Sequence, residues 1–185
     1  MHQFRDEMAC FHMGSTTKGS LMKRILITGM SATGKSSAVL ELIARGYDAI
    51  DLDTPEWSEW VDAEPGDTLV PGDGKDWMWQ EERVRALLSS PLDNHMFISG
   101  CAENMDQFYP LIDVVILLSA PVDTIMQRLT ERSGANYGQT ADERRKISEL
   151  IALIEPLLRE SADHEIVTGN SVRATVDEII RLVSV

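Results

Sequence analysis

The segment from Gly29 to Ser36 reads Gly-Met-Ser-Ala-Thr-Gly-Lys-Ser, which sets two glycines, an ammonium and a hydroxyl at the spacing GxxxxGK[ST]. A polyphosphate is held by N–H groups converging from a sharply turned backbone at the positive end of a helix. Gly29 and Gly34 let the main chain come close, and Ser31, Ala32, Thr33, Gly34, Lys35, Ser36 and Ser37 supply the amides. Lys35 adds a mobile charge for the β and γ phosphates, and the Ser36 hydroxyl is an oxygen ligand of the kind Mg²⁺ prefers. The motif predicts binding of a nucleoside triphosphate; the plainer reading is a glycine turn that only joins a strand to a helix. Its flanks favour the first. Ile25, Leu26 and Ile27 form an apolar strand-like run before it, and Ala38, Val39, Leu40, Leu42 and Ile43 carry helical spacing after it.

Three further groups have the residue types for phosphoryl transfer. Asp51 and Asp53 close a strand-like run in Asp-Leu-Asp, so strand alternation directs both carboxylates to one side. At the C-terminal end of a strand they face the crevice of an open α/β sheet, where Asp51 would hold magnesium through water and Asp53 would orient an acceptor hydroxyl. The alternative is a solvated strand end or a cap built on Asp53 and Thr54. Arg128 and Arg132 stand four residues apart on a polar helix face, placed to neutralise charge on a transferred group or else to pair with Glu131 or Asp123 at the surface. All four tryptophans, Trp57, Trp60, Trp77 and Trp79, cluster in one stretch. They suggest one pocket in which Trp57 stacks on a substrate and Arg83 meets a substrate anion; equally, they give a glycine-rich insert its own small core. Gly100, between Ser99 and Cys101, would admit a substrate close to the γ phosphate. His95 and His164 begin strands and read as structural.

The elements that must position these residues follow from periodicity. Apolar runs at 24–29, 48–52, 95–99, 113–118 and 164–168 alternate with helical patterns, which predicts a three-layer α/β/α arrangement around a parallel sheet. Val122, Ile125, Met126 and Leu129 mark one helix behind Pro121, and Ile147, Leu150, Ile151, Ile154 and Leu158 mark the next, which Pro156 is expected to kink or end. Val172, Val176, Ile179, Ile180 and Val183 mark the last. Residues 133–141 have two glycines and no apolar period, and read as a loop. Residues 54–76 read as irregular, followed by a helix over roughly 77–89; loops of that length are usually functional.

With 185 residues the chain suits one domain over 22–185. Residues 1–21 lack an apolar signal core and end in a Gly/Ser/Thr-rich stretch, so they are either a native arm or a linker-like scar, with Met22 as a possible natural start. Thirty acidic against 17 basic residues leave a net charge of −13, which repels a phosphodiester backbone and argues against a nucleic-acid partner. No run approaches the roughly 20 apolar residues of a membrane span. The two cysteines form no CxxC pair, which fits a reducing, cytoplasmic setting.

Taken with the flanking strands, the phosphate loop, Asp51-Leu52-Asp53 and Arg128-Leu-Thr-Glu-Arg132 resemble the P-loop small-molecule kinases, the group of adenylate, shikimate and gluconate kinases. The resemblance spans residues 23–185 and is strongest to shikimate-kinase-like or broad-specificity nucleotide kinase proteins, with Asn136-Tyr137-Gly138 in a lid over 132–142, Pro156-Leu-Leu-Arg159 and His164-Glu165-Ile166. It implies strand order 2-3-1-4-5, ATP with Mg²⁺, an acceptor region over 54–90, and an adenine site between Arg128 and Thr168-Gly169-Asn170-Ser171. Ser99-Gly100-Cys101 replaces the glycine triplet of shikimate kinases, only Arg83 and Arg85 stand where nucleotide acceptors need several arginines, and Gln139 replaces a lid cation. The expected activity is ATP-dependent transfer to a small hydroxyl or phosphate acceptor, by a monomer or homodimer, with Lys35, Asp53 and Arg132 catalytic. The alternative is a nucleotide-dependent switch or assembly factor with no small acceptor.

Overall fold

The computed structural model describes residues 22–63, 74–131 and 140–184. The arm over 1–21, residues 64–73 of the acceptor region, and 132–139, which include Arg132 and most of the expected lid, lie outside the described residues.

In chain order the elements are β1 (Arg24–Thr28), α1 (Lys35–Ala44), β2 (Asp48–Asp51), β3 (Ser58–Asp62), β4 (Lys75–Trp79), α2 (Glu81–Ser89), β5 (Met96–Ser99), a 3₁₀ helix (Met105–Leu111), β6 (Val114–Ser119), α3 (Val122–Glu131), α4 (Ala141–Ser161), β7 (His164–Val167) and α5 (Val172–Val183). Five strands form one sheet in the order β2-β5-β1-β6-β7, all parallel. Counted along this sheet alone, that is the expected 2-3-1-4-5. The central β1 has neighbours on both edges and helices on both faces, so it is a continuous apolar run rather than an alternating one. Its residues sort by side. Ile25 and Ile27 pack with Ala38 and Leu42 of α1 and Val176 and Ile179 of α5. Leu26 faces the other way, onto Val84 and Leu88 of α2, Phe108 of the 3₁₀ helix and Leu158 of α4. A third cluster joins Ala32 of the phosphate loop to Ile125 and Leu129 of α3 and Ile147 and Ile151 of α4.

Two expectations need correction. The stretch over 54–76 is not wholly irregular, and no helix begins at 77: β3 and β4 form an antiparallel pair in which Trp60 lies opposite Trp77, and α2 begins only at Glu81. Charged residues interleave the tryptophans on both strands and hide the alternation, but the pairing is made by those same residues, with Trp60 and Trp77 rings 4.9 Å apart and Lys75 bound to Asp62 at 3.0 Å. Pro156 does not end α4, which runs unbroken to Ser161. The carbonyl it leaves without a helical donor belongs to Ala152, which is exposed, so water can satisfy it.

One ion-pair network ties α4 to the sheet edge. Arg159 donates to both carboxylate oxygens of Glu165 at 2.9 Å and to Glu155 at 2.7 Å, while the Ser119 hydroxyl donates to Glu165 at 2.6 Å. The Arg159 bonds, then the Ser119 bond, pull the Glu165 carboxyl from its ordinary 4.5 down to about 2. The folded state therefore prefers the carboxylate. Its contribution is complete above pH 4.5 and is lost as pH falls toward 2. Because the groups are partly exposed, we expect Glu165→Gln to cost about 1 kcal/mol or less near neutrality. Circular-dichroism melting curves from pH 7 to 2 should show the gap between variant and wild type closing below pH 4.5.

Candidate active site at the carboxyl edge of the sheet

The phosphate loop leaves β1 through a backbone that only glycine accepts. Gly29 has φ 144°, and a Cβ built there would lie 2.2 Å from the Leu118 carbonyl oxygen. Ala32 and Gly34 also take positive φ, 63° and 105°. The first bond of α1 runs from the Ala38 N–H to the Gly34 carbonyl at 3.0 Å, which leaves the amides of Lys35, Ser36 and Ser37 without an intrahelical acceptor. These are the donors an anion needs. Thr33, fully buried, closes the loop by donating its hydroxyl to the Met30 carbonyl at 2.8 Å.

Lys35 curls back under this loop. Its ammonium donates to the Gly29 carbonyl at 2.7 Å and sits 3.5 Å from Asp53 Oδ2. Asp53 in turn accepts the Cys101 N–H on Oδ1 at 2.9 Å, and its own N–H donates to Asp51 Oδ1 at 3.1 Å. Burial pushes the Asp53 carboxyl above its ordinary range, and the Lys35 charge and the Cys101 amide offset this only in part. Burial likewise pushes the Cys101 thiol up. Asp51 ends β2 in register with Ser99 of β5, itself in register with Ile27 of β1, whose side chain faces α1. Asp51 and Ser99 thus lie in one row on the face that carries Ser36 in the first turn of α1. Ser99 Oγ is buried and has no partner. Hydroxyl and carboxylate oxygens in this row suit a hard dication that keeps part of its water. Among the described residues no group of three or more His, Cys, Asp or Glu side chains could hold a metal by itself.

On the other flank Arg128 is fixed rather than free to swing. It donates to the Ala32 carbonyl at 3.1 Å and to the hydroxyl and carbonyl of Thr168 at 3.0 and 2.7 Å. The Thr168 hydroxyl donates to the Thr33 carbonyl at 2.8 Å. Neither Glu131 nor Asp123 is a partner of Arg128 in this arrangement. A cavity of about 320 Å³ opens here between Thr33, Ser37, Arg128, Glu131 and Asn170, where an adenine site was expected.

The four tryptophans do not share one pocket. Trp60 and Trp77 pair on the β3–β4 hairpin, Trp60 being 60% exposed. Trp57 lies under the Arg83 guanidinium at 4.5 Å, and Glu56 holds that guanidinium at 2.6 Å. Trp79 is in the core against Phe108. Gly100 touches the site floor: a Cβ there would fall 2.9 Å from both Asp53 Oδ1 and Trp79 Cζ2. Sequence reasoning missed Asn104, which is buried and accepts the Trp79 N–H at 2.9 Å while donating to the Trp79 carbonyl at 3.0 Å. No pattern in the sequence announces it. His95 accepts the Lys23 amide at 3.0 Å, in keeping with a structural role.

The AAA domain family model, AAA_18, matches residues 25–149, more than half of the chain. The chain belongs to this AAA domain family. Its fold is that of the P-loop kinases. A shikimate kinase from Acinetobacter baumannii, solved in complex with shikimate, superposes with a TM-score of 0.62 at 18% identity, over 89% of this chain and 94% of its own. A shikimate kinase from Bacteroides thetaiotaomicron gives 0.55 at 17% identity, over 89% and 99%. No curated protein matches the sequence at a significant level. Among the described residues no helix is long and apolar enough to cross a membrane.

Gly29→Ala should cost about 3 kcal/mol, from the positive φ and the carbonyl in its way. Gly46→Ala, at φ 85° with nothing within 4 Å of the added carbon, should cost only about 1 kcal/mol. Urea unfolding of both variants measures the difference.

Proposed function

We propose that this protein transfers the γ-phosphoryl group of ATP, with Mg²⁺, to a hydroxyl or phosphate of a small metabolite. The observation that carries this reading is the contact between Lys35 and Asp53 at 3.5 Å, a phosphate-loop cation joined to a carboxylate at the carboxyl edge of the sheet. The bound magnesium nucleotide supplies the activated phosphoryl group. Lys35 lies where an ammonium meets phosphate oxygens, and the free amides at the start of α1 lie beside it. Ser36 and Asp51, in the row with Ser99, are the oxygen ligands offered to magnesium, Asp51 through water. Asp53 accepts the hydrogen bond of the attacking hydroxyl; a carboxylate whose pKa is raised by burial is a better base for that proton than an exposed one. Arg128, locked to Thr168 and Ala32, lines the side where the nucleotide base would lie. Trp57, just beyond Asp53, and Arg83 of α2, stacked on it at 4.5 Å, offer the opposite side an aromatic face and a cation.

A panel of nucleosides, nucleotides, sugars and hydroxy acids, assayed for ADP release above the ATP-only rate, tests the reading directly. At least one acceptor should raise the rate, and Lys35→Ala should lower that rate about a thousandfold while its far-ultraviolet dichroism stays that of wild type. Acceptor-independent hydrolysis across the whole panel would favour the nucleotide switch instead. Arg128→Ala should weaken ATP binding about tenfold in calorimetry, because it removes three hydrogen bonds that shape the base side of the site.

A further inference from the structure

Trp79 carries an unspent hydrogen-bond donor at the floor of the acceptor side. Its side chain is 1% exposed, and Nε1 has no partner. A buried N–H without an acceptor is costly, and native structures seldom keep one without a use. The indole is also held with unusual care: Asn104 brackets its backbone with two hydrogen bonds, and Phe108 packs on its ring at 5.4 Å. Nε1 lies beside Gly100. From the position of a Cβ on Gly100, Trp79 Nε1 is 3.1 Å away and Asp53 Oδ1 is 2.9 Å away. The indole N–H and the carboxylate thus flank the same glycine, one a donor and the other an acceptor. Any side chain at residue 100 would collide with both.

We propose that Trp79 is a specificity-determining residue whose Nε1–H bonds an oxygen of the acceptor next to the hydroxyl that reaches Asp53. Because donor and carboxylate border one glycine, the two acceptor oxygens must be close neighbours, which names the substrate class as vicinal diols and 2-hydroxy acids. The inference rests on the kinase reading for its chemistry, and its test separates the two.

The probes are glucose, ribose, adenosine, gluconate and shikimate, with 2-deoxyglucose, 2-deoxyribose and 2′-deoxyadenosine as counterparts lacking one vicinal oxygen, each added with MgADP to protein labelled with ¹⁵N-tryptophan. The Trp79 indole resonance is assigned by its absence in Trp79→Phe, or by elimination with Trp57→Phe, Trp60→Phe and Trp77→Phe should that variant not fold. We expect it at the upfield position of an unbonded indole in the free protein, moving downfield with at least one vicinal diol or hydroxy acid and not with a deoxy counterpart. In steady-state kinetics with that acceptor, Trp79→Phe should raise KM about tenfold and leave kcat within about twofold. Loss of a merely structural residue would lower kcat and affect the deoxy counterparts equally, and that pattern would overturn the proposal. A resonance already downfield in the free protein would also overturn it. ADP release with an unmoved resonance would remove the role of Trp79 and leave the kinase standing. A moving resonance without ADP release would remove the kinase and leave the binding site. Silence in both across the panel would remove both.

Discussion

The Leu118 carbonyl oxygen occupies the place where a side chain on residue 29 would begin. That one approach, of the end of β6 to the turn after β1, lets the chain leave the sheet at φ 144° and swing into α1. Were residue 29 any larger, β1 and β6 could not keep their register through Thr28 and Leu117. The amides at the start of α1 would then point elsewhere. The same turn sets the Gly29 carbonyl against the Lys35 ammonium at 2.7 Å. A steric constraint between two backbones thus fixes where the strongest positive charge of the site sits.

From that charge the site extends in two directions by different means. Toward β2 and β5 it is electrostatic: Lys35 meets Asp53, and Asp53 is held on its other oxygen by the Cys101 amide. A carboxylate taken out of water needs such partners. Toward α3 and β7 the site is built from hydrogen bonds to main-chain carbonyls, with Arg128 and Thr168 joining Ala32, Thr33 and Ser119. This half is thus a wall of main-chain carbonyls bound by fixed donors. Ala32 reinforces it by packing against Leu129 and Ile147, which couples the loop to α3 and α4.

What could be read in advance divides along physical lines. The phosphate loop and the five-strand alternation are local signals, a glycine spacing and a run of apolar residues, and the structure places them within a residue or so of expectation. The parallel order came with the family resemblance, since periodicity alone does not say which strands are neighbours. The β3–β4 hairpin was hidden because its stabilising pairs are cross-strand, Trp60 with Trp77 and Asp62 with Lys75, and so are more than a dozen residues apart in the chain. Asn104 was invisible for the same reason: its value lies in two bonds to Trp79 across 25 residues. Arg128 was found as a charge, and only the family resemblance set it beside Thr168, 40 residues on.

The balance of charge makes these long-range contacts matter. A molecule with net charge −13 repels a polyphosphate at long range, so attraction must come from a few groups acting at short range, where low exposure strengthens them. Lys35 meets that need because its ammonium is largely enclosed. The exposed cations do not, since Arg83, Arg85, Arg159 and Arg181 are each taken up by a neighbouring glutamate. Lys35 too has a carboxylate partner, Asp53 at 3.5 Å, and it is its enclosure that sets it apart. An anion at the loop meets the enclosed Lys35 ammonium and the amides at the start of α1, while Arg128 stands on the other flank, bound to main-chain carbonyls. The acidic surface leaves the attraction of a polyphosphate to these short-range contacts.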